Sequence, residues 1–231
     1  MQRRTFLLAV GAVVVTPALA QAKPMKIGVI GSGKIGSTLG GLWVKAGHEV
    51  MFSDRDAEIS KRVANDLGPR ARAGSVEEAV AFGDAVLIAV PYGALPAVAK
   101  QVGEKLKGKI VVDPNNPVPA RDGELGVQAK EKGAAVSTAA ILPGARLVRA
   151  FNSWGYQKMA SEANRPAPRM AIPVASDDAG ALKVGLQLVS DAGFDAVPAG
   201  SLAASKAFDL GSAVSGRVMT AEEMRKALSL P

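Results

Sequence analysis

Two short runs have the residue types and spacing of nucleotide chemistry. The first is Gly31-Ser32-Gly33-Lys34-Ile35-Gly36, a G-x-G-x-x-G loop. The pattern gains force from its context. It follows the apolar, β-branched run Lys26–Ile30 and opens a helical period of Ile35, Leu39, Leu42, Trp43 and Ala46. Gly31 permits a tight turn, Gly33 has no Cβ to hold a pyrophosphate away, and Gly36 lets the helix pack against the strand. The helix start offers N–H groups and a partial positive charge to the anion. The second run is Ser53-Asp54-Arg55, with Asp54 18 residues beyond Gly36. That is where dinucleotide folds place the group that reads the adenosine ribose. Asp54 accepting from both ribose hydroxyls would favour NAD. Arg55 pairing with a 2′-phosphate, with Ser53 donating to it, would favour NADP. Asp54 also suits the cap of the next helix.

A second group of residues sits where strands end. The turns are Pro91-Tyr92-Gly93, Asn115-Asn116-Pro117 and Phe151-Asn152-Ser153-Trp154. In an open α/β sheet, ligands lie beyond the carboxyl ends of the strands. Val90 and Pro91 are expected to border a nicotinamide. Asn115, Asn152 and Ser153 are expected to hydrogen-bond its carboxamide or a substrate ring, and Tyr92 or Trp154 to stack on a flat ring. Each also has a plain structural reading as turn former or core. His48, after the helix-ending Gly47, reads as structural. No remaining residues resemble a dehydrogenase acid/base pair, so no catalytic side chain is assigned. Hydride transfer to a flavin-type ring needs no such pair, since the ring itself accepts the hydride.

The elements that must carry these turns alternate. Strands are expected at Lys26–Ile30, Glu49–Phe52, Ala85–Val90 and Ile110–Val112, with helices between them. Ser75-x-x-Glu78 is a capping box. The stretch 118–146 reads as loop-rich, with one helix at 124–132. Beyond it, strands are expected at Leu147–Phe151, Met170–Ala175 and Phe194–Val197, a helix at Ala179–Ala192, and a last helix capped by Thr220-x-x-Glu223. The fold class is α/β, a Rossmann-like, doubly wound, mostly parallel sheet. One domain over 25–231 with a small C-terminal α/β elaboration is the simplest organisation.

Several motifs together resemble the NADP oxidoreductases that use the deazaflavin coenzyme F420. They are Lys26–Gly36, Ala46–Val50, Asp113–Pro117, Val148–Asn152, Val174–Asp178, Asp191–Asp195 and Ala199–Leu202. The resemblance implies one Rossmann-type domain, commonly a homodimer, that moves a hydride between NADP(H) and a deazaflavin. A related module in membrane metalloreductases passes hydride to a flavin. The family usually has Ser-Arg where this chain has Asp54-Arg55. Arg55 therefore carries over as the 2′-phosphate reader and Asp54 does not, which leaves NAD open beside NADP. The alternatives are a small-substrate dehydrogenase or imine reductase, and an exported, non-catalytic dinucleotide-binding or redox-sensing protein. The dehydrogenase families usually add a long helical domain after the Rossmann part.

Composition bounds the rest. The chain has 231 residues, no Cys and one His, which excludes disulfides, thiolate metal sites, a cysteine nucleophile and a multi-His metal site. Arg3-Arg4-x-Phe6-Leu7, an apolar run of about 14 residues and small residues before Lys23 resemble a signal peptide of twin-arginine type, expected over 1–22. Cleavage after Ala20 or Ala22 would deliver a folded protein to the periplasm, with no stable membrane insertion; retention as an anchor is the alternative. Removing it leaves 209 residues and lowers the net charge from +7 to +5. The remaining basic residues are scattered, so nucleic acid is not an expected partner. The expected partner is a small-molecule redox acceptor.

Overall fold

The computed structural model describes residues 24–231. The expected twin-arginine signal and its expected cleavage sites lie outside these residues. Six short runs form one fully parallel sheet: β1 (Lys26–Ile30), β2 (Glu49–Ser53), β3 (Ala71–Ala73), β4 (Ala85–Ile88), β5 (Ile110–Asp113) and β6 (Arg146–Arg149). Their order is β3-β2-β1-β4-β5-β6. The chain winds outward one way from β1, then returns to place β4 on its other side. The switch of direction opens a crevice between the ends of β1 and β4.

Both faces are covered. On one lie α1 (Lys34–Lys45), α2 (Ala57–Leu67) and α8 (Ala179–Asp191), around a core of Leu39, Trp43, Phe52, Val148 and Leu188. The Trp43 indole N–H donates to Leu188 O at 2.8 Å, tying α1 to α8. On the other lie α3 (Val76–Phe82), α4 (Leu95–Leu106), α5 (Pro119–Lys132) and α6 (Ala134–Ile141), around Ile88, Tyr92, Leu95, Val102 and Leu106. Ser75–Glu78 forms the expected capping box, as does Thr220–Glu223 at α9 (Ala221–Ala227). Gly47, at φ +100°, takes the positive-φ conformation expected of the residue closing α1.

The C-terminal elaboration is a β-α-β unit. β7 (Ala171–Val174) and β8 (Asp195–Pro198) pair in parallel, with α8 between them, and α7 (Tyr156–Glu162) precedes them. An antiparallel bridge between Arg149 and Ala175 joins this small sheet to β6. Two expectations change. The stretch 118–146 is mostly helical: α5 begins at Pro119 and bends at Gly123 (φ +59°), and α6 comes at once after it. Its glycines and its run of alanines erase the apolar period that would have shown it. The strand β3 is an addition, since three residues are too short to show a period. His48 is buried at the head of β2, far from the crevice. Its Nδ1 accepts from Met25 N and its Nε2 lies 3.0 Å from Asp191. That is the structural role expected. Among the described residues, no helix is long and apolar enough to cross a membrane.

Candidate nucleotide and acceptor cleft

The glycine loop is shaped by its neighbours in the sheet. Gly31 sits at φ +95°, and a Cβ there would collide with Ala89 O. Its N–H donates to Ser53 O at 2.9 Å. A Cβ on Gly36 would collide with Gly31 O, so Gly36 is required by close packing. Gly33 differs: a Cβ there would meet no protein atom within 4 Å. The absent side chain of Gly33 therefore faces open space, at the start of α1, whose first turn has no side-chain cap and no acidic residue. The first N–H groups of a helix lack intrahelical partners. An anionic group of a nucleotide fits this space.

The exit of β2 revises two expectations. Ser53 is fully buried and its Oγ donates to Val29 O at 2.8 Å, so it is spent on the sheet and out of reach of a phosphate. Asp54 does not cap α2; Asp56 does, accepting from Glu58 N at 3.0 Å. Asp54 instead accepts from the backbone N–H of Ser32 at 2.8 Å. Its carboxylate thus braces the glycine loop, and the Ser32 hydroxyl adds a bond to Ser53 O. Arg55 stays exposed and lines a cavity of about 570 Å³ with Gly31, Gly33, Asp54, Val90 and Pro91.

A second cavity, of about 810 Å³, shares Gly33, Val90, Pro91 and Arg121 with the first. The two form one groove across the crevice. The larger part is lined by Lys34 and Ile35, by Pro114–Asn116, by Phe151–Gly155, by Lys158 and by Leu210 and Gly216. Val90, Pro91, Asn115, Asn152, Ser153 and Trp154 thus meet as expected, but several have no free polar group. Asn115 bridges two strands: its Oδ1 accepts from Val90 N and its Nδ2 donates to Ile88 O. The Ser153 hydroxyl and the Asn152 amide both donate to Phe208 O at 2.9 Å. Asn152 Oδ1 is buried without a partner. Trp154 lines the cleft and its N–H donates to Arg217 O. Tyr92 is not in the cleft. It is fully buried, its hydroxyl donates to Ala134 O, and burial pushes it up to about 12. The stacking role fails because the ring fills the core under α6.

One buried charge cluster behind the cleft is absent from the expectations. Arg149 is fully buried, and its guanidinium contacts Asp113 at 3.2 Å and Asp209 at 2.8 Å. Asp113 and Arg149 are paired neighbours across β5 and β6. A signal exists: opposite charges inside two apolar strand runs. Burial pushes the Asp113 carboxyl up, against the opposing pull of Arg149. Phe151, two residues on, is held at φ +63°, an unfavourable backbone state for a bulky residue. Edge-to-face packing on Trp43 and Phe194 holds it there.

Residues 26–117 match the family described as NADP oxidoreductase, coenzyme F420-dependent. The matched segment runs from β1 to the turn after β5, and so contains the glycine loop, Arg55, Pro91 and Asn115. The chain is 28% identical over 177 residues to an F420-dependent NADP reductase of Methanothermobacter thermautotrophicus, covering 71% of this chain and 75% of that protein. Its fold matches the crystal structure of a hypothetical protein from Sinorhizobium meliloti, with a TM-score of 0.71 at 25% identity, over 87% of this chain and 97% of that one. A putative F420-dependent NADP-reductase from Arthrobacter sp. FB24 superposes with a TM-score of 0.63 at 23% identity, over 79% and 87% of the two chains. The family match and the Methanothermobacter relative together indicate an NAD(P)-dependent oxidoreductase. After Phe151 the described residues fold as a β-α-β unit rather than the helical domain that small-substrate dehydrogenases add.

Proposed function

We propose that this protein transfers a hydride between NADP(H) and a flat ring acceptor of the deazaflavin or flavin type. The observation that carries the nucleotide half is the empty direction of the Gly33 Cβ beside an uncapped helix start. There the Gly31–Gly36 loop would hold the pyrophosphate, and Val90 and Pro91 would bound the nicotinamide. When bound, the nucleotide supplies the hydride; the chain's residues bind, orient and keep water out. Asp54 is already engaged with Ser32 N, which leaves Arg55 as the exposed charge at the ribose end and favours a 2′-phosphate.

The acceptor half rests on what the larger cavity contains. Its lining has no carboxylate, His or Tyr. Its two lysines are engaged: Lys34 lies 5.0 Å over the Tyr156 ring, and Lys158 pairs with Glu162 at 3.7 Å. A carbonyl or imine substrate needs a proton donor in the cleft, whereas a ring acceptor needs alignment at close range. The twin-arginine-like start adds that the enzyme is exported folded, with nucleotide in place; a periplasmic preparation then contains bound NADP(H).

Absorbance at 340 nm tests the activity, with coenzyme F420 and FMN as acceptors. Oxidation of NADPH by either supports the proposal, and no oxidation with both overturns it. Arg55→Ala tests the phosphate reading. Loss of a charge-assisted contact predicts about 10–100-fold weaker NADPH binding with NADH unchanged. Equal losses for both nucleotides would remove Arg55 from that role.

A further inference from the structure

We propose that Asp209, acting through the buried Arg149, is a positioning residue that sets the acceptor wall of the cleft. The inference rests on the ring-acceptor reading above for its kinetic consequence, but not for its structural one. Arg149 holds two walls at once. Its NH1 donates to the Asp113 carboxylate and to Asn115 O, and its NH2 donates to Asn116 Oδ1 at 3.2 Å and to Asp209 Oδ1 at 2.8 Å. The other Asp209 oxygen accepts from Ala134 N at 3.0 Å, at the start of α6. A charged group with no exposure is kept only where its partners are fixed, because an unpaired buried charge is costly. Asp209 is therefore pinned on both oxygens, one by the buried Arg149 guanidinium and the other by the backbone N–H of Ala134.

The chain immediately beyond Asp209 forms the wall itself. Leu210 is 49% exposed and lies on the lip of the larger cavity, and Ser215 and Gly216 line it. Around this anchor the loop is stitched to the Phe151–Trp154 turn. Phe208 O accepts from Asn152 and Ser153, Gly216 N donates to Ser153 O at 2.8 Å, and Trp154 donates to Arg217 O. These bonds fix the turn that carries the strained Phe151. None of them reaches the glycine loop or Arg55. Loosening Asp209 should thus move the acceptor wall and leave the nucleotide side in place.

Asp209→Asn keeps the shape and removes the charge; Asp209→Ala removes both bonds. Two measurements separate this inference from the activity. In hydrogen exchange of the full chain, the segment 208–217 should exchange at least 10-fold faster in Asp209→Ala than in the wild type, with 29–40 unchanged. In steady-state assays with coenzyme F420 and FMN, the acceptor KM should rise at least 10-fold in Asp209→Ala and less in Asp209→Asn, while the dissociation constant of NADPH stays within twofold. If the wild type oxidises no NADPH with either probe, the activity proposal fails while the exchange result still decides the positioning. Unchanged exchange over 208–217, or equal losses for NADPH and acceptor, would overturn the role of Asp209.

Discussion

On the nucleotide side of the cleft, the loop is braced from within a single crossover. Gly31 N and Ser32 N donate to Ser53 O and Asp54, partners 22 residues away, and the surface offered to the ligand is bare backbone. On the acceptor side, the wall is braced by partners 55–63 residues away, from Arg149 to Asp209, Asn152 and Ser153 to Phe208, and Trp154 to Arg217. The bracing here is one buried ion pair, Arg149 to Asp209, together with neutral side-chain bonds to backbone carbonyls. The contrast separates what each side must do. A pyrophosphate is the same in every nucleotide, and backbone N–H groups at a helix start suffice to meet it. A ring acceptor has to be aligned face to face at close range, which demands a wall set by groups that do not relax.

The acceptor side is most vulnerable at Arg149. Arg149→Met keeps the apolar stem and leaves Asp113 and Asp209 without their cation. Breaking a buried pair by removing one partner costs about 3–5 kcal/mol. Urea unfolding at neutral pH should show that loss. The deficit should shrink as pH falls, because Asp113, already pushed up by burial, then takes a proton and no longer needs the guanidinium. A loss below 1 kcal/mol would mean the acceptor side does not rest on charge, and the contrast between the two sides would collapse.

At Gly33 the nucleotide side can be broken with the opposite effect on stability. Gly33 is the N-cap of α1, without a side-chain cap, in an extended backbone conformation open to any residue. Asp is favoured at an N-cap, and its side chain would enter space that no protein atom fills. Gly33→Asp should therefore raise stability by about 0.5–1 kcal/mol. It should also weaken NADPH about 100-fold, or about 2.7 kcal/mol, by occupying and charging the pyrophosphate position. Calorimetry of unfolding and of nucleotide binding on the same sample checks both signs. A variant that binds NADPH normally would place the pyrophosphate elsewhere.

The same contrast explains which parts of the molecule could be read from its residues. The Rossmann order, the glycine loop and the Arg55 position rest on local periods and a six-residue motif, and the structure has them where the pattern puts them. Ser53 and Tyr92 mislead because residue type and loop position say nothing of side-chain direction; both turn into the sheet or the core. The helices α5 and α6 are hidden by glycine and alanine, which form helix without marking a face. The Arg149–Asp113–Asp209 cluster is half legible, as charges within apolar strands. Asp209 is not, because its partner lies 60 residues away and no local pattern announces the meeting.

Asp122 lies at the seam between the two sides and gives the smallest effect. Its side chain is almost fully covered, and it accepts from Gly93 N at 3.0 Å and Val118 N at 2.7 Å, so it fastens the start of α5 to the turn after Pro91. Arg121, which lines both cavities, pairs with it on both oxygens. That pairing, with the two backbone N–H groups, holds the Asp122 carboxyl down at about 2. A depressed carboxyl stabilises the fold above its unfolded value, near 3.9, and loses that contribution as pH falls toward its folded value. Arg121 is half exposed, so solvent screening limits the contribution to about 1 kcal/mol. Asp122→Asn should therefore be less stable than the wild type at pH 6, with the gap narrowing between pH 4 and 2, as read from urea midpoints. If nucleotide and acceptor affinities both fall in this variant while those of Gly33→Asp and Asp209→Ala each change on one side only, Asp122 is the joint through which the two independently built walls are held in register. A gap that stays constant down to pH 2 would assign the effect to the shape of the side chain and not to its charge.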